Sequence, residues 1–288
     1  MTEFAHAAEP PTTRTRRRGR LGVIVIFAFG VVGAVTVIAI CGSLIAPDDP
    51  HAQNLAVSLA KPSHAHWLGT DSLGRDIFSR IIAGARTAFL GPLVIAAGSM
   101  VAGNALGLFA GYRGGRVDSF IMRWVDLMWA VPSLVVIIVV AGAVGGGYWL
   151  AVLLLLVLTI PFDTRVVRGA VLEQTPRPYV EAAKTIGVAD ARIMWKHIWP
   201  NVAPVAIANS FLVFAGALVT LSGLSFLGLG APPGTPDWGL MLAEGQTLLF
   251  ANPVATLAPG AMIVITAVSM NLIGDWTYEQ LAGRGAER

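Results

Sequence analysis

The sequence predicts an all-α, polytopic membrane protein with six transmembrane helices, and three observations support this fold class. The first is composition: 55% of the 288 residues are hydrophobic and only 13% are charged, against about 25% charged in ordinary soluble domains. A soluble chain of this size needs more polar surface than so few charged residues supply. The second is a series of long uncharged runs, and the third is the collection of basic residues in alternate segments between those runs.

The uncharged runs have the length of membrane spans, because a bilayer core about 30 Å thick needs roughly 20 apolar residues in a helix. Residues 127–162 form one run that is too long for a single crossing. Gly142 and the consecutive glycines that follow from Gly145 divide this run, since consecutive glycines favour a turn over a helix interior. The predicted spans are 21–46, 87–112, 122–142, 147–163, 202–227 and 254–273.

The distribution of basic residues predicts the orientation. Arginines cluster between positions 14 and 20, directly before the first span, and basic residues accumulate on the cytoplasmic side of membranes. An N-terminus in the cytoplasm and six spans place both termini there. Of the 20 Lys and Arg residues, only Lys61, Arg75, Arg80 and Arg86 then fall outside. The predicted segments are a basic cytoplasmic tail at 1–20, a first transmembrane helix at 21–46, an external loop at 47–86, a transmembrane core at 87–275 with a cytoplasmic loop at 163–201, and a cytoplasmic tail at 276–288.

A basic start before an apolar run is also typical of a secretory signal peptide. The apolar stretch is too long for that interpretation, and no small-residue cleavage site follows it. Cys41 is the single cysteine, so no disulfide can form within the chain. The residue before it is the bulky Ile40, where lipoprotein processing needs a small residue, so we expect Cys41 to be a packing residue.

The cytoplasmic loop at 163–201 is the most informative segment. It is expected to form two short helices, one over 179–186 that ends at Gly187 and one over 190–199 that ends at Pro200. Gly187 can adopt the left-handed conformation that ends a helix. Asp190 is expected to cap the second helix, because its carboxylate can accept hydrogen bonds from the free amides of the first turn.

Within this loop, Glu181-Ala182-Ala183, Gly187 and the run from His197 to Asn201 resemble the EAA loop of ABC importer permeases. Glu-Ala-Ala alone is simply a good helix sequence, so its spacing to the glycine and proline carries the resemblance. The resemblance implies that the loop docks into a groove of a partner ATPase and passes nucleotide-driven motion to the membrane helices. The implied coupling residues are Tyr179, Glu181, Ala182, Ala183, Gly187, His197 and Pro200.

Further stretches resemble the second permease subunit of the dipeptide, oligopeptide and nickel importers. They are the run from His66 to Asp76, residues 114–132, residues 224–239 and residues 259–275, so that the resemblance covers about 66–275. The first tail has no such resemblance. After Asp275, the usual Gly-Leu-Arg run of the family is replaced by Trp-Thr-Tyr.

Two further sets of residues are candidates for function. In the external loop they are Gly69, Thr70, Asp71, Gly74, Arg75 and Asp76. They form either a solvated, internally paired loop or a contact with an extracytoplasmic solute-binding protein, and the resemblance favours contact. The pathway or gate candidates are Arg123, Asp126, Pro132, Ser225 and Phe226.

Simpler structural roles stand beside the gate interpretation. Arg123 and Asp126 are spaced to pair with each other on one helix. Pro132 is expected to kink the third span, because it removes a backbone donor. The polar span residues Asn104, Asn209 and Asn271 are expected to form interhelical hydrogen bonds.

Several functions are excluded by missing motifs. The chain has no Gly-x-x-x-x-Gly-Lys-Ser/Thr phosphate loop, so ATP and Mg²⁺ would be bound by a partner. It has no His-Glu-x-x-His motif and no cysteine pair, so no metal site and no cofactor are expected in this chain. No charge lies in the middle of a predicted span, which argues against a proton-coupled carrier. Basic residues flank the spans without interleaved aromatics, so nucleic-acid binding is not expected.

The resemblance implies a type I ABC importer permease fold in the cytoplasmic (inner) membrane of a prokaryote. The implied partners are a second homologous permease, two ATPase domains and a solute-binding protein, with the lipid bilayer around the helices. The implied cargo is a di- or oligopeptide, with nickel or another small solute as the alternative. A stand-alone secondary carrier or channel remains a second alternative. A membrane enzyme is a remote third, since no catalytic residue set is present.

Overall fold

The computed structural model describes residues 22–285, and these residues form an α-helical bundle. Five helices are long and apolar enough to cross a membrane, and a bent pair of shorter helices supplies a sixth span. Between residues 22 and 285 there is no β-strand, only an isolated bridge between Thr70 and Asp76. The all-α fold is therefore confirmed, with six spans when the bent pair counts as one, while several helix boundaries differ from the predicted ones.

The first two spans are α1 (Val23–Ile45) and α2 (Ile77–Arg113). The first matches its prediction, but α2 begins well before the predicted position 87. Asp76 caps it, because one of its carboxylate oxygens accepts a hydrogen bond from the Ser79 backbone N–H at 2.8 Å. The end of the predicted external loop is therefore helical, and Arg80 lies inside the protein.

The third predicted span is broken in two. Helix α3 covers Gly115–Trp129, α4 covers Ser133–Val144, and their axes differ by 71°. A proline kink was predicted, and the break occurs at Pro132, which lacks a backbone donor and is the extended residue before α4. Helix α4 ends at Gly145 in the left-handed conformation, so the predicted glycine turn is present, although the helix runs on past residue 142.

The fourth span, α5 (Tyr148–Gln174), continues well beyond its predicted end at 163. The prediction ended it where charged residues begin, but those residues have partners inside the protein. Arg165 pairs with Asp126 of α3, so the predicted pair between Arg123 and Asp126 does not form. Asp163 lies well inside α5 and is only 2% exposed, so the expectation that no ionisable side chain lies in the middle of a span is wrong.

The segment after α5 contains α6 (Pro178–Thr185) and then one continuous helix, Asp190–Phe226. The continuous helix consists of a short α7 (Asp190–Arg192), a π-helical segment (Ile193–Ile198) and α8 (Trp199–Phe226). The predicted helix end at Pro200 is wrong, because this proline lies in the first turn of α8. The predicted cap at Asp190 is also wrong, because Asp190 is itself the first helical residue and its carboxylate accepts a hydrogen bond from Tyr112.

The last elements are α9 (Trp238–Gly245), which was not predicted, and α10 (Pro253–Gly285). Helix α2 lies at the centre of the bundle and packs against α1, α5 and α8. Glycines allow it to approach α5 closely: a Cβ atom at Gly103 would lie 2.4 Å from the Asp163 Cβ atom. Small residues at helix contacts are typical of membrane proteins, where backbones must approach closely.

Helix α2 is about 55 Å long at 1.5 Å per residue, so the two ends of the bundle lie far apart. We call residues 47–76 the first loop. The end of the bundle covered by this loop is called the first-loop end. Residues 175–198 form the hairpin, which contacts the other end of α2 and defines the hairpin end. Phe29 near the start of α1 contacts Trp276 in α10, with ring centroids 5.4 Å apart, so both of these segments lie towards the hairpin end.

Candidate functional site

The hairpin is anchored on its inner face by apolar side chains. Val180 and Ala183 of α6 are buried in a cluster formed with the last turns of α2 and α5 and with the start of α8. Residues three apart lie on one face of a helix, so these two positions turn the rest of α6 outward. The cluster consists of Leu108, Tyr112, Val167, Val171, Val180, Ala183, Ile193, Met194, Ile198, Val202 and Ala206.

The predicted turn at Gly187 is present. Gly187 has φ +78°, a conformation in which a Cβ atom is strained. The Gly187 backbone N–H donates to the Lys184 carbonyl, and the Val188 N–H donates to the Ala183 carbonyl, both at 3.0 Å. These two hydrogen bonds form a Schellman motif, which satisfies the last carbonyls of α6 and reverses the chain.

The outer face of the hairpin is exposed and partly apolar. Glu181 and Ala182 point outward, so the two predicted alanines have different roles: Ala183 anchors the helix and Ala182 leaves a low surface beside it. Ile186 is 78% exposed and Trp195 is 54% exposed. These two residues were not among the predicted site residues, although large apolar side chains in a polar loop are the signal that could have identified them.

Polar contacts fix the position of the hairpin on α2. The Tyr112 hydroxyl donates to Asp190 Oδ1 at 2.7 Å, and the Lys184 ammonium lies over the Tyr112 ring, 5.1 Å from its centroid. Arg113 Nη2 is 3.9 Å from Asp190 Oδ2. The hairpin is therefore fixed directly to the end of the central helix.

Tyr179 links the two limbs of the hairpin. Its hydroxyl donates to Gln174 Oε1 at 2.9 Å and accepts from Asn201 Nδ2 at 3.2 Å. Partial burial raises the pKa of the Tyr179 phenol, so the hydroxyl stays a donor to a higher pH than that of an exposed tyrosine. The Asn201 amide also donates to the His197 carbonyl at 2.8 Å, beside the exposed Pro200.

A buried charge cluster holds the other end of the molecule. Arg75 Nε donates to Asp71 Oδ2 at 2.6 Å and Arg75 Nη2 donates to Glu244 Oε2 at 2.8 Å. Arg80 Nη2 donates to the same Glu244 oxygen at 2.9 Å. We call these four residues the charge cluster; two cations and two anions join the first loop, α2 and α9 across more than 160 positions of sequence.

The predicted external-loop residues are buried. Asp71, Arg75 and Asp76 have almost no exposed surface, so the expectation of a solvated loop is wrong, while the expected internal pairing is present. Gly74 has φ +69°, and a Cβ atom there would lie 1.8 Å from the Asn54 carbonyl oxygen. Gly69 and Thr70 are buried as well. Contact between this loop and a solute-binding protein stays a prediction.

A second polar group lies beside the charge cluster. His66 Nδ1 is 3.1 Å from Asp76 Oδ1 and 3.9 Å from Asp48 Oδ2. These three side chains come from the end of α1, the middle of the first loop and the cap of α2. Nothing in the sequence spacing indicates that they meet, because they are distributed over the whole loop.

A cavity of about 540 Å³ lies between the α3–α4 break, α5 and α8. Its wall is mainly apolar, with hydroxyl groups from Ser133, Thr159 and Thr220. A mainly apolar wall with a few polar groups is typical of small-molecule sites. The remaining lining residues are Met128, Trp129, Val131, Pro132, Leu155, Leu158, Phe162, Leu212, Val213, Gly216 and Ala217.

One of the predicted gate residues, Pro132, lines this cavity, and Asp126 is linked to it only through Arg165 and Trp129. Pro132 forms part of its wall, and Asp126 holds Arg165, whose guanidinium lies 4.5 Å from the centroid of the Trp129 ring. Arg123 is exposed on α3. Ser225 and Phe226 end α8 near the first-loop end, where the Ser225 hydroxyl accepts from the Ala231 backbone N–H at 3.1 Å.

Asp163 connects two walls of the cavity. Asn209 Nδ2 of α8 donates to Asp163 Oδ1 of α5 at 2.5 Å, so the expected interhelical hydrogen bond of Asn209 is present. In the part of the chain that the structure describes, neither Asp163 Oδ2 nor Asn104 Oδ1 has a hydrogen-bond partner. Sequence analysis missed Asp163 because it assigned this residue to a loop.

Comparisons with known proteins agree with this arrangement. Residues 103–284 match the family described as the binding-protein-dependent transport system inner membrane component. The probable D,D-dipeptide transport system permease protein DdpC of Escherichia coli (strain K12) is 37% identical over 231 residues, which are 80% of this chain and 78% of that protein. The dipeptide transport system permease protein DppC of Alkalihalophilus pseudofirmus is 34% identical over 279 residues, covering 97% of this chain and 92% of the relative.

A third relative is similar over a shorter stretch. The glutathione transport system permease protein GsiD of Pectobacterium atrosepticum is 38% identical over 220 residues, which are 76% of this chain and 73% of that protein. The family model covers well over half of the chain, and these relatives are covered over most of their length. The chain therefore belongs to the family of binding-protein-dependent transport system inner membrane components, and it is a permease subunit of an ABC importer with the type I permease fold.

Proposed function

We propose that this permease carries di- or oligopeptides across the inner membrane of a prokaryote and is driven by a partner ATPase that binds the hairpin. The observation that carries the proposal is the two-sided construction of α6. Its inner face is fixed to the membrane helices by Val180 and Ala183, while its outer face presents Glu181, Ala182 and Ile186. A helix that is anchored on one side and has a low, partly apolar surface on the other fits a partner groove.

The contacts of the hairpin explain how its displacement by the ATPase would be passed to the helices that line the cavity. The hairpin is continuous with α5 on one side and with α8 on the other, and both helices line the cavity. The hydrogen bond between Asp163 and Asn209 joins these two helices, so they move together. The α3–α4 break at Pro132 supplies the third wall and is the place where the bundle can bend.

The proposed partners follow from the two ends of the bundle. The hairpin end faces the cytoplasm, where two ATPase domains bind ATP and Mg²⁺. The first-loop end faces an extracytoplasmic solute-binding protein. A second, homologous permease packs against the open side of the cavity, so that the pathway lies at the interface of the two subunits. The basic tail predicted at 1–20 lies outside the described residues, and its charges favour the same orientation by the positive-inside rule.

The names of the relatives support a peptide cargo. Two of them transport dipeptides or D,D-dipeptides by name, and the third transports glutathione, which is itself a small peptide. The cavity suits a cargo of variable side chains, because its wall is apolar and its few hydroxyl groups can bond a peptide backbone. Nickel fits this wall poorly, since nickel prefers imidazole or carboxylate ligands.

Site-specific photo-crosslinking tests the ATPase contact. A photoreactive residue at Ala182 or Ile186 should capture an ATPase subunit in the assembled importer, because both side chains are exposed on the hairpin. The matched control is Trp67, which is 62% exposed on the first loop. Mass spectrometry of the captured product identifies the partner. The proposal would be refuted if a photoreactive residue at Trp67 captured the ATPase, or if neither hairpin position captured it.

A transport measurement tests the cargo. Proteoliposomes that contain the complete importer should take up a labelled dipeptide only when ATP is enclosed inside them, on the hairpin side of the membrane, and excess unlabelled peptides should compete. Competition by Ni²⁺ without competition by peptides would identify the metal, and not a peptide, as the cargo. Uptake by this subunit alone, without ATP, would instead identify a stand-alone carrier.

A further inference from the structure

We infer that the first loop holds a divalent transition-metal ion of the zinc class between Asp48, His66 and Asp76. One ligand atom from each of these side chains lies within 4.8 Å of the other two. Asp48 follows the end of α1, His66 lies in the middle of the first loop, and Asp76 is the cap of α2. The site is separate from the cavity and from the hairpin, so it does not depend on the proposed cargo.

The spacing of the ligand atoms suits a small ion. Zinc binds imidazole nitrogen and carboxylate oxygen at about 2.0–2.2 Å, so two ligand atoms on a tetrahedral ion lie about 3.4 Å apart. His66 Nδ1 and Asp76 Oδ1 are 3.1 Å apart, and His66 Nδ1 and Asp48 Oδ2 are 3.9 Å apart. All three atoms lie within 4.8 Å of one another, and a rotation of the Asp48 side chain, which is half exposed, would bring them onto one ion.

Two of the three ligands are held in place before any ion binds. The Asp76 carboxylate is 3% exposed, and its second oxygen accepts from the Ser79 backbone N–H, which fixes its orientation. The Ser79 hydroxyl in turn accepts from the Asp48 backbone N–H at 3.1 Å, which holds the Asp48 backbone beside the cap. The His66 backbone N–H donates to Ser63 Oγ at 3.2 Å. Contacts of this kind orient metal ligands and raise affinity.

Charge balance favours an ion over a single proton. Two carboxylates face one imidazole nitrogen, and a proton on Nδ1 can make a good hydrogen bond only to the nearer oxygen, since 3.9 Å is too long for one. A divalent cation balances both carboxylates and leaves the imidazole neutral. One nitrogen and two oxygen ligands suit zinc, cobalt or a similar ion better than Mg²⁺ or Ca²⁺, which prefer oxygen ligands alone.

The bound ion would add a link among three parts of the chain that already meet through the Asp48–Ser79 hydrogen bond and the His66–Asp76 contact. It would fix the end of α1 to the start of α2 and hold the middle of the first loop against both. Because the charge cluster uses neighbouring residues of the same loop, the ion would stabilise the first-loop end as a unit.

Titration of the full-length protein with Zn²⁺ tests the site. The protein is purified in detergent with a tag that contains no histidine and is freed of metal with a chelator. Calorimetry should show one Zn²⁺ per chain, with an increase in thermal stability, and Mg²⁺ should give neither. Co²⁺ in place of Zn²⁺ should give the visible absorption of a low-coordinate site. The inference would be overturned if the metal-free protein did not bind Zn²⁺.

Variants assign the ligands. Asp48→Asn should reduce Zn²⁺ affinity at least about 10-fold, because even loss of a residue behind the ligands costs about 10–100-fold, and Asp48 is exposed enough that the fold tolerates the change. His66→Ala should abolish binding. His51→Ala and His64→Ala alter the exposed histidines of the same loop and should leave affinity unchanged. Loss of binding in either of these controls, with normal binding in Asp48→Asn, would place the ion elsewhere.

Discussion

The two ends of the molecule are held together by different forces. At the hairpin end, α6 is fixed by a cluster of apolar side chains, and its outer face is exposed with Ile186 and Trp195 uncovered. At the first-loop end, the loop is fixed by buried charges from three segments, and its functional candidates are covered. The same chain therefore builds one end with an exposed, partly apolar surface and one end that is internally braced.

The difference predicts where substitutions destabilise the protein. Removal of one partner of a buried ion pair costs about 3–5 kcal/mol, because it leaves an uncompensated charge. A single hydrogen bond near the surface contributes only about 1 kcal/mol. We therefore expect substitutions in the charge cluster to unfold the protein, and substitutions on the outer face of the hairpin to affect coupling with little effect on stability.

The largest effect is expected for Arg80→Met. Arg80 is 1% exposed and donates to Glu244, so its loss leaves the partly buried Glu244 carboxylate with Arg75 alone and gives the cluster an excess negative charge. The free energy of unfolding should fall by about 3–5 kcal/mol, measured as thermal unfolding in detergent. Arg86→Met is the matched control, because Arg86 is exposed on the same helix and should change the stability little.

The double variant Arg80→Met with Glu244→Gln sharpens this test. Removal of both charges leaves the pair between Arg75 and Asp71 balanced, so most of the lost stability should return. If the double variant is as unstable as Arg80→Met alone, the loss comes from packing around Arg80, and the first-loop end is not braced by charge.

The second effect lies midway between the two ends. Asp163→Ala removes the acceptor of Asn209 Nδ2 and leaves this half-buried amide without that partner, which costs about 1–3 kcal/mol. Asp163→Asn keeps an acceptor oxygen and should cost clearly less. Thr159→Ala is the control on the same helix, since the Thr159 hydroxyl bonds only to the Leu155 carbonyl of its own helix. Equal losses for the alanine and asparagine variants would show that the Asp163–Asn209 bond does not join α5 to α8.

Asp163 and Arg80 also show what the sequence could not predict. Uncharged runs located all six spans, because the bilayer imposes a composition on every helix that crosses it. Helix ends were predicted at the first charge, and this rule failed wherever the charge has a partner inside the protein. Arg80 is neutralised by Glu244, a residue far away in sequence, and no local pattern reports such a pairing.

The hairpin was easier to predict than the first loop. The turn at Gly187 depends on a local backbone conformation that glycine favours, and the structure contains it. The continuation through Pro200 was not predictable from local rules, because the π-helical segment before it changes the register of the helix. The meeting of Asp48, His66 and Asp76 required the folded loop, since the three residues are far apart in sequence.

A smaller effect is expected at the hairpin turn. Gly187→Ala forces a side chain into a left-handed conformation and should cost about 1–2 kcal/mol, although the space around this glycine is open. Because the strain is confined to the turn, stimulation of ATP hydrolysis by substrate should fall in the assembled importer while the unfolding temperature falls only slightly. Gly169→Ala, at an open helical position, should retain both. Gly187→Asn should restore part of the coupling, since asparagine tolerates this conformation. Normal coupling in Gly187→Ala would mean that the hairpin does not transmit the motion of the ATPase to the membrane helices.

The smallest effect is expected for Asp126→Asn, in the cavity region between the two ends. Asp126 and Arg165 are both partly exposed, and exposed ion pairs contribute at most about 1 kcal/mol. Trp129→Ala should cost more, because it removes both the stack on Phe162 and the contact with the Arg165 guanidinium. Thermal unfolding at low and high salt measures both variants, and only the small loss in Asp126→Asn should disappear at high salt. If Asp126→Asn is the more harmful variant, this region is held by charge like the first-loop end, and aromatic packing does not set the position of the α3–α4 break.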